Sequence, residues 1–338
     1  MPLVSVGIVT WNSLPTIASC LESLLDQTFR DFEVNVIDNA SQDGTASLIQ
    51  AQFGGRVRLT VNPTNEGYCR AHNQAICASS AEYVLTLNPD VFLTPTFLQS
   101  MTKAIEADPE IGSVNGKLLR VEHEPLDTDW ARNPAETAII DSAGLMMFRT
   151  RRQYLRGYRE TVSDRFSRPA LIFGPDGAAA LYRREMLEDV KVNGQYFDEV
   201  FFAHKEDVDL AWRAQLCGWK SLYVPDAVAY HVRGFRPGER ERMSPEIKRH
   251  AAKNRYLMIL KNELLGTFAR DWAHILSYEA RILGYVLLFE QSSVRAYWDF
   301  LRLAPHALRW RKVIQSKRRA EVAYIAGLFD GKGSMDNP

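Results

Sequence analysis

The stretch LTLNPDVFLT, Leu85 to Thr94, decides the fold: an apolar run is interrupted by Asn88-Pro89-Asp90. A strand that is apolar on both faces is typical of a parallel sheet covered by helices on both sides. Proline cannot donate a hydrogen bond to a neighbouring strand, and an unpaired carboxylate is costly to bury. The strand should therefore end before Pro89, which holds Asn88 extended and places Asp90 just past the strand end.

Strand-like and helix-like runs alternate through the first 120 residues around this stretch. VSVGIVTW, FEVNVIDNA and VRLTVN read as strands, while LPTIASCLESLLDQT, GTASLIQAQF and TPTFLQSMTKAIEADP have the helical pattern. The alternation predicts an α/β sheet with helices on both faces. Ligands of such sheets bind beyond the carboxyl ends of the strands. Polar residues gather at those ends, at Thr10-Trp11-Asn12, Asp38-Asn39, Asn62 to Asn65 and Asn88-Pro89-Asp90.

The composition is that of a globular protein, with 46% hydrophobic and 24% charged residues among 338, which excludes a disordered chain. The formal net charge is zero, yet residues 246 to 319 contain 15 Lys and Arg against 6 Asp and Glu, a net charge of +9. The remaining residues therefore carry −9. An acidic front and a basic back predict two different roles.

The cysteines and the hydropathy of the sequence indicate the cellular compartment in which the protein is expected. None of the four cysteines belongs to a CxxC pair, so we expect free thiols in a reducing cytoplasm rather than a zinc site. The N-terminal MPLVSVGIVTW lacks the basic region of a signal peptide. The apolar stretch WAHILSYEARILGYVLLFE contains Glu279 and Arg281, which argues against a transmembrane helix.

The alternation breaks between Glu122 and Ala170, where arginines accumulate. We interpret this segment as an insertion of loops and a hairpin, with the hairpin near IIDSAGLMMF and RQYLRGY. GPDGAAALYRREMLEDV, Gly174 to Val190, then has the pattern of a Gly-rich turn that enters a helix.

Three acids and one histidine are candidates for chemistry. In HKEDVDLAWR, Glu206 and Asp207 fall in the first turn of a predicted helix. The helix dipole favours acids there, and that preference alone explains them. The functional alternative is a carboxylate held at a cleft, either as a general base or as a residue that supports the metal ligands. His231 ends the strand-like SLYVPDAVAYH, and Asp90 follows a strand; each alone is most simply structural. Together, a carboxylate and an imidazole would hold Mn²⁺ or Mg²⁺ against phosphate oxygens.

The series of segments resembles glycosyltransferase family 2, and within it the bacterial rhamnosyltransferase-type members. The likeness covers about residues 3 to 235. It is carried by VSVGIVTWN, VIDNASQDGT, NEGYCRAHNQAI, LTLNPDV, GAAALYRREML and FDEVFFAHKEDVDLAWRAQLCGWKSLYVPDAVAYH. The resemblance implies a GT-A fold, a doubly wound mixed α/β sheet in residues 1–245. Residues 1–120 would bind the nucleotide sugar and residues 121–245 the acceptor.

The resemblance also implies donor-binding residues. Asp38 would contact the nucleobase, and Thr10 and Asn12 would line the same pocket. Asn88 stands where many members have the first acid of a metal-binding Asp-x-Asp motif, which lowers the expected metal affinity. The residues expected to shape the rest of the donor side are Asn65, Gly67 and Asn73.

The metal and the base are implied in the same way. Asp90 matches the last acid of the Asp-x-Asp motif, and His231 matches a histidine that ligates the metal in some members. Asp207 matches the catalytic base, with Glu206 beside it. The expected cofactor is a divalent metal, Mg²⁺ or Mn²⁺.

The implied reaction is inverting transfer of a sugar from a dTDP- or UDP-linked donor to a saccharide or lipid-linked saccharide, in cell-surface polysaccharide assembly. L-rhamnose from dTDP-L-rhamnose is the expected donor sugar. One alternative is a nucleotidyltransferase that makes nucleotide sugars, but VTWNSLPT lacks the Gly-rich, basic phosphate loop such an enzyme needs. A non-catalytic nucleotide-sugar-binding protein is the second alternative, and Asn88 favours it.

The basic back end, residues 246–325, has the pattern of amphipathic helices. From Arg295 to Arg319, eight Lys and Arg stand against Asp299 alone, interleaved with Trp, Tyr, Phe and Leu. This suits a helix lying on an anionic membrane; the alternatives are a bundle packed on the catalytic domain and a nucleic-acid patch. We favour the membrane, with no nucleic-acid partner, and expect a protein peripheral to the inner face of the cell membrane. Residues 326–338 should fray.

Overall fold

The computed structural model describes residues 1–121, 139–232 and 244–331. Most strands within these ranges join one ten-stranded sheet. The strands are β1 Val4–Thr10, β2 Phe32–Asp38, β3 Arg58–Val61, β4 Tyr83–Leu87, β5 Val91–Leu93, β6 Ile111–Arg120, β7 Ile140–Ser142, β8 Leu145–Met147, β9 Gln153–Leu155, β10 Ala170–Ile172, β11 Ala179–Arg183 and β12 Lys220–His231. The helices are α1 Ile17–Leu25, α2 Thr45–Phe53, α3 Gly67–Cys77, α4 Phe97–Glu106, α5 Arg184–Val190, α6 Glu206–Leu216, α7 Pro245–Asn262, α8 Leu265–Phe289, α9 Arg295–Ser316 and α10 Val322–Gly327.

The sheet is doubly wound and mixed. Its order is β10-β12-β6-β11-β4-β1-β2-β3, while β5 pairs with β12 and β7 with β6. β1 runs parallel to β2 and β4, and β11 runs antiparallel between β4 and β6. The carboxyl ends of β1, β2 and β4 therefore meet at one edge, where ligands of open α/β sheets bind.

Helices cover both faces of the sheet, as the sequence predicts. One core packs α1, α2 and α4 against the sheet through residues such as Leu21, Ile49 and Met101. The other packs α5 and α6 with the C-terminal helices, and contains Trp212 and Trp310. The predicted α/β fold with a helical C-terminal extension is confirmed.

The stretch quoted at the outset behaves as predicted. β4 is buried along its whole length and ends at Leu87, before Pro89. The chain restarts as β5 at Val91, which pairs antiparallel with β12 so that Val91 faces His231. This pairing places Asp90 beside the end of β12.

The insertion before residue 170 contains the expected hairpin. β8 pairs antiparallel with β9, with Leu145 opposite Leu155. The first part of the predicted insertion, residues 122–138, lies outside the described residues.

The C-terminal helices are attached to the first 245 residues by buried ion pairs. Lys261 of α7 is buried and pairs with Asp198 at 2.7 Å and with Asp209 of α6 at 3.0 Å. The prediction that the chain frays from residue 326 is wrong at its start, because Ala326 and Phe329 are buried and Phe329 belongs to the second core. Residues 332–338 lie outside the described residues.

Candidate active site

The ends of β1 and β2 are joined by the carboxylate of Asp38, which is fully buried. Its Oδ2 accepts hydrogen bonds from Thr10 Oγ1 at 2.8 Å and from Ser41 Oγ at 2.6 Å. Its Oδ1 accepts from the Ser41 backbone N–H at 2.9 Å. The expected nucleobase residues Thr10 and Asp38 are therefore together, but the carboxylate is already engaged by protein donors.

Asn12 and Trp11 present the accessible surface at this edge. Asn12 has a left-handed backbone with φ 52°, and its N–H donates to Ser41 Oγ. Its Oδ1 accepts from the Gln42 N–H at 2.8 Å. The Trp11 side chain is 57% exposed. An exposed indole at the carboxyl end of a strand offers a stacking face, which the sequence did not single out.

The start of α3 is built around its first residue, Gly67. Asn65 Oδ1 accepts from the Gly67 N–H at 3.0 Å, and Asn39 Nδ2 donates to the Gly67 carbonyl at 3.1 Å. Gly67 has φ 82°, and a Cβ there would lie 2.5 Å from a ring carbon of Phe202. Glycine is thus required by both backbone conformation and space.

Asn73 of α3 is hydrogen-bonded to the 197–199 segment rather than offering a free amide. Its Nδ2 donates to the Phe197 carbonyl and to Glu199 Oε1, and its Oδ1 accepts from the Phe197 N–H at 2.9 Å. This expected donor-side residue therefore holds the segment that leads towards α6.

Asp90 and His231 come together although 140 residues of chain separate them. His231 Nε2 lies 3.4 Å from Asp90 Oδ1. That oxygen is buried and has no hydrogen-bond partner among the described residues. Burying an unsatisfied carboxylate oxygen is costly, so an oxygen facing an imidazole nitrogen is suited to a cation.

Asp141 of β7 is a residue that the sequence analysis missed. Its Oδ2 lies 2.9 Å from Nδ1 of His231, and both side chains are almost completely buried. A proton on Nδ1 shared with Asp141 would leave the lone pair of Nε2 facing Asp90. Metal-binding histidines are commonly oriented by a carboxylate in this way.

Gly177 and Ala178 connect the two groups of candidates. The Asn88 N–H donates to the Ala178 carbonyl at 2.8 Å, and the Gly177 N–H donates to Asp207 Oδ2 at 3.2 Å. Asn88, two residues before Asp90, and Asp207 are therefore both hydrogen-bonded to this short segment.

Asp207 is the second residue of α6, as predicted, and its other carboxylate oxygen accepts from the Val208 N–H at 2.8 Å. Burial, and then the negative charge of Asp176, raises the pKa of Asp207 above its ordinary value. A carboxylate with a raised pKa is a stronger base than an ordinary one. Asp176 and Gly177 were not identified from the sequence.

Glu206 is more deeply enclosed than its neighbour. Burial, and then Asp207, raises the pKa of Glu206. Its Oε2 is buried without a hydrogen-bond partner among the described residues. Glu206 is thus favoured in its protonated form while Asp207 carries the charge, because two adjacent carboxylates resist double ionisation.

The loop before α6 is strained and is held from the C-terminal region. Phe202, His204 and Lys205 all have positive φ, between 65° and 72°. Asn254 of α7 donates from Nδ2 to the carbonyls of Phe201, Ala203 and His204 at 2.8 to 3.0 Å. Such conformations persist only when surrounding structure fixes them, and they concentrate at functional sites.

The mixed sheet with helices on both faces is that of the GT-A fold. A profile described as Glycosyl transferase family 2 matches residues 5–191, more than half of the chain. The chain belongs to glycosyl transferase family 2. Glu206, Asp207 and His231 lie beyond the matched span.

Individual relatives match a larger share of the chain than the family profile does. An N-acetylglucosaminyl-diphospho-decaprenol L-rhamnosyltransferase of Mycobacterium tuberculosis is 30% identical over 244 residues, covering 69% of this chain and 77% of that protein. The crystal structure of residues 1–349 of S. aureus TarS has a TM-score of 0.55 and 20% identity, covering 97% of this chain and 89% of that one. The structure of GalNAc-T7 with UDP, GalNAc and Mn²⁺ has a TM-score of 0.58 and 16% identity, covering 77% of this chain and 48% of that one.

Proposed function

We propose that this glycosyltransferase transfers a sugar with inversion, using a nucleotide-sugar donor, a divalent metal and Asp207 as the base. The supporting observation is the Gly177-Ala178 segment, whose backbone contacts both the Asp207 carboxylate and Asn88, which stands two residues before Asp90. A base and a diphosphate site must lie on opposite sides of the sugar for a single inverting displacement.

Asp90 and His231 fit a divalent cation. The buried Asp90 Oδ1 and the His231 Nε2 atom are 3.4 Å apart, and a carboxylate with an imidazole suits Mn²⁺ or Mg²⁺. Such ions are usually held by one or two protein groups together with substrate phosphates. Among the described residues, no three His, Cys, Asp or Glu side chains form a metal cluster. When bound, the metal neutralises charge on the departing diphosphate.

The chain's own groups then position the acceptor proton. Asp207 accepts the proton of an acceptor hydroxyl as that oxygen attacks the anomeric carbon, and the bond to the diphosphate breaks on the opposite face. The Gly177 and Val208 N–H groups fix the carboxylate. Glu206, kept protonated by burial, leaves Asp207 as the charged base. No covalent sugar–enzyme intermediate is needed.

The nucleotide would lie at the ends of β1 and β2. The exposed Trp11 ring offers a stacking face, and Asn12, Asn65 and Gly67 shape the rim, while Asp38 holds Thr10 and Ser41 in place. The S. aureus TarS structure has also been solved with UDP-GlcNAc. We favour dTDP-L-rhamnose as the donor because of the mycobacterial L-rhamnosyltransferase relative.

The acceptor would be a saccharide carried on a lipid diphosphate, in the assembly of a cell-surface polysaccharide. Support comes from the name of the mycobacterial relative, which contains a diphospho-decaprenol acceptor. The enzyme would then work at the inner face of the cell membrane. None of the helices in the described residues is long and apolar enough to cross a bilayer.

A panel of nucleotide sugars, each with and without Mn²⁺, tests the donor by thermal shift, because a specific ligand stabilises the folded state. We expect dTDP-L-rhamnose with Mn²⁺ to give the largest shift, and donor consumption to follow. Stabilisation by a donor that is never consumed would favour the non-catalytic binder. Formation of a nucleotide sugar from a nucleoside triphosphate would favour the nucleotidyltransferase.

A further inference from the structure

Exposed large apolar side chains are concentrated on the C-terminal helices. Among the described residues, 19 large hydrophobic side chains are exposed, and 14 of them lie between Leu265 and Val322. This uneven distribution marks one side of the molecule, since large exposed apolar patches usually indicate an interaction surface.

The first part of the patch is a straight stripe along α8. Its members recur at intervals of seven and four residues, so they lie on one line of the helix. Side chains such as Asp271, Ile275 and Val286 face the protein instead. The stripe is about 33 Å long at the rise of an α-helix, and its exposed members are Leu265, Trp272, Leu276, Leu283 and Leu287.

The second part is the turn from α8 into α9. Leu288 and Phe289 are 73% and 74% exposed at the end of α8, and Trp298 and Leu301 are 71% and 61% exposed in the first turns of α9. An isolated exposed leucine is ordinary, but four such side chains around one turn are costly in water.

Charge is segregated on the same two helices. The exposed charged residues of α8 and α9 are all cationic, whereas the acids of the 265–316 segment are turned inward. Asp271 pairs with Arg151, Glu279 with Arg255 and Asp299 with Arg249, and Glu290 is buried. The exposed cations are Arg270, Arg281, Arg295, Arg302, Arg309 and Lys312.

On α9 the cations accompany the apolar residues. Arg302 follows Trp298 by four residues and Lys312 follows Leu308 by four, so each pair shares one side of the helix. The sequence analysis assigns the whole basic cluster from Arg295 to Arg319 to the membrane contact. Part of that cluster binds the protein instead: Arg311 donates to the Leu260 carbonyl, Lys317 to the Asp189 and Lys191 carbonyls, and Arg319 pairs with Asp189.

We propose that the α8 stripe, the α8–α9 turn and the exposed cations of α9 form a docking face for an anionic phospholipid bilayer. Aromatic and aliphatic side chains flanked by Lys and Arg are what an interfacial membrane surface requires. A second copy of the chain fits less well. In a two-fold interface the same patch meets itself, which would bring these cations together without an exposed acid on either helix. The biological purpose of this docking face rests on the proposed function, in which the acceptor is lipid-linked.

Co-sedimentation with vesicles tests the surface without donor or acceptor. The full chain should bind phosphatidylcholine vesicles containing phosphatidylglycerol, and bind pure phosphatidylcholine much more weakly. The triple variant Arg302→Gln, Arg309→Gln and Lys312→Gln should lose on the order of a hundredfold in partition to the anionic vesicles, at about fivefold per charge. The pair Trp298→Ser and Leu301→Ser should reduce partition to both vesicle types.

Matched controls keep the test specific. Arg30→Gln, Arg56→Gln and Arg165→Gln remove three exposed cations elsewhere and should bind vesicles as the wild type does. Thermal melts verify that every variant is folded. Equal sedimentation of the α9 variants and the wild type would overturn the proposal. So would a wild-type dimer that Leu276→Ser makes monomeric while vesicle binding is unchanged.

The catalytic proposal is tested separately. Asp207→Asn should bind vesicles normally while losing turnover. If the protein sediments with anionic vesicles but consumes no nucleotide sugar, the docking face is supported and the proposed reaction is refuted. If it consumes donor but never sediments, the reaction is supported and the docking face is refuted.

Discussion

Asp141 Oδ2 lies 2.9 Å from Nδ1 of His231, at the end of the strand that also faces Asp90. The two residues come from β7 and β12, which pair with the same strand, β6. The carboxylate therefore fixes the orientation of an imidazole whose other nitrogen faces the proposed metal site.

Replacing Asp141 should weaken metal binding. Asp141→Asn keeps the size of the side chain but removes the charge that orients His231, and loss of such a partner typically costs about 10- to 100-fold in metal affinity. Calorimetric titration of Mn²⁺ in the presence of the nucleoside diphosphate measures the effect directly. Asp226→Asn, at an exposed position of β12, is the control. An unchanged Mn²⁺ affinity in Asp141→Asn would show that this carboxylate does not serve the metal.

Asp207→Asn should remove turnover while leaving donor affinity nearly intact, because the amide keeps the acceptor atom for the Gly177 N–H but is not a base. We expect kcat to fall by about 10²- to 10⁴-fold. Steady-state kinetics and donor titration on the same preparation separate the two effects. Glu206→Gln should cost less, since a protonated Glu206 supplies no base. A variant Asp207→Asn with near wild-type kcat would refute the assignment.

The acid limb of the pH profile should depend on Asp176. Asp207 acts as a base only when ionised, and its raised pKa places the loss of activity at a higher pH than for an ordinary carboxyl group. Asp176 contributes to that rise, so Asp176→Asn should lower the pKa of Asp207 and move the acid limb to lower pH, by on the order of one unit. The profile of kcat/KM against pH measures the shift. Asp164→Asn, in an exposed turn, should leave the profile unchanged.

The buried ion pairs of α7 should matter for folding. Lys261→Met removes the ammonium that Asp198 and Asp209 share and leaves them His306 and Arg213 as remaining partners. Removing one side of a buried pair costs up to about 3–5 kcal/mol of unfolding free energy. Denaturant unfolding followed by circular dichroism measures the change. Lys103→Met, at an exposed position of α4, should change stability by less than about 0.5 kcal/mol. If Lys261→Met lost as little stability as Lys103→Met, His306 and Arg213 would be sufficient to compensate the two acids.

Local sequence patterns were sufficient to predict some parts of the site. Pro89 after an apolar run placed Asp90 past the end of β4, and the start of α6 at Glu206 followed from helical spacing and N-terminal acids. These features depend on neighbours in the sequence, so a single chain reveals them.

Other parts depend on contacts between distant elements. Asp141 stands within IIDSAG, where nothing nearby identifies its partner 90 residues away. Asn254 lies in a helix whose amphipathic pattern does not say which surface its polar face meets. Trp11 becomes notable only through its exposure. Tertiary pairing, rather than propensity, determined the role of each of these residues.

The hydrogen bonds from Asn254 to the strained 201–204 backbone have a consequence for where this enzyme can be divided. A cut after residue 245, the boundary that sequence similarity suggests, would delete the α7 residue that supports the backbone before α6. Chimaeras that exchange acceptor preference must therefore carry Pro245–Asn262 with the sheet, and the two parts must be inherited together.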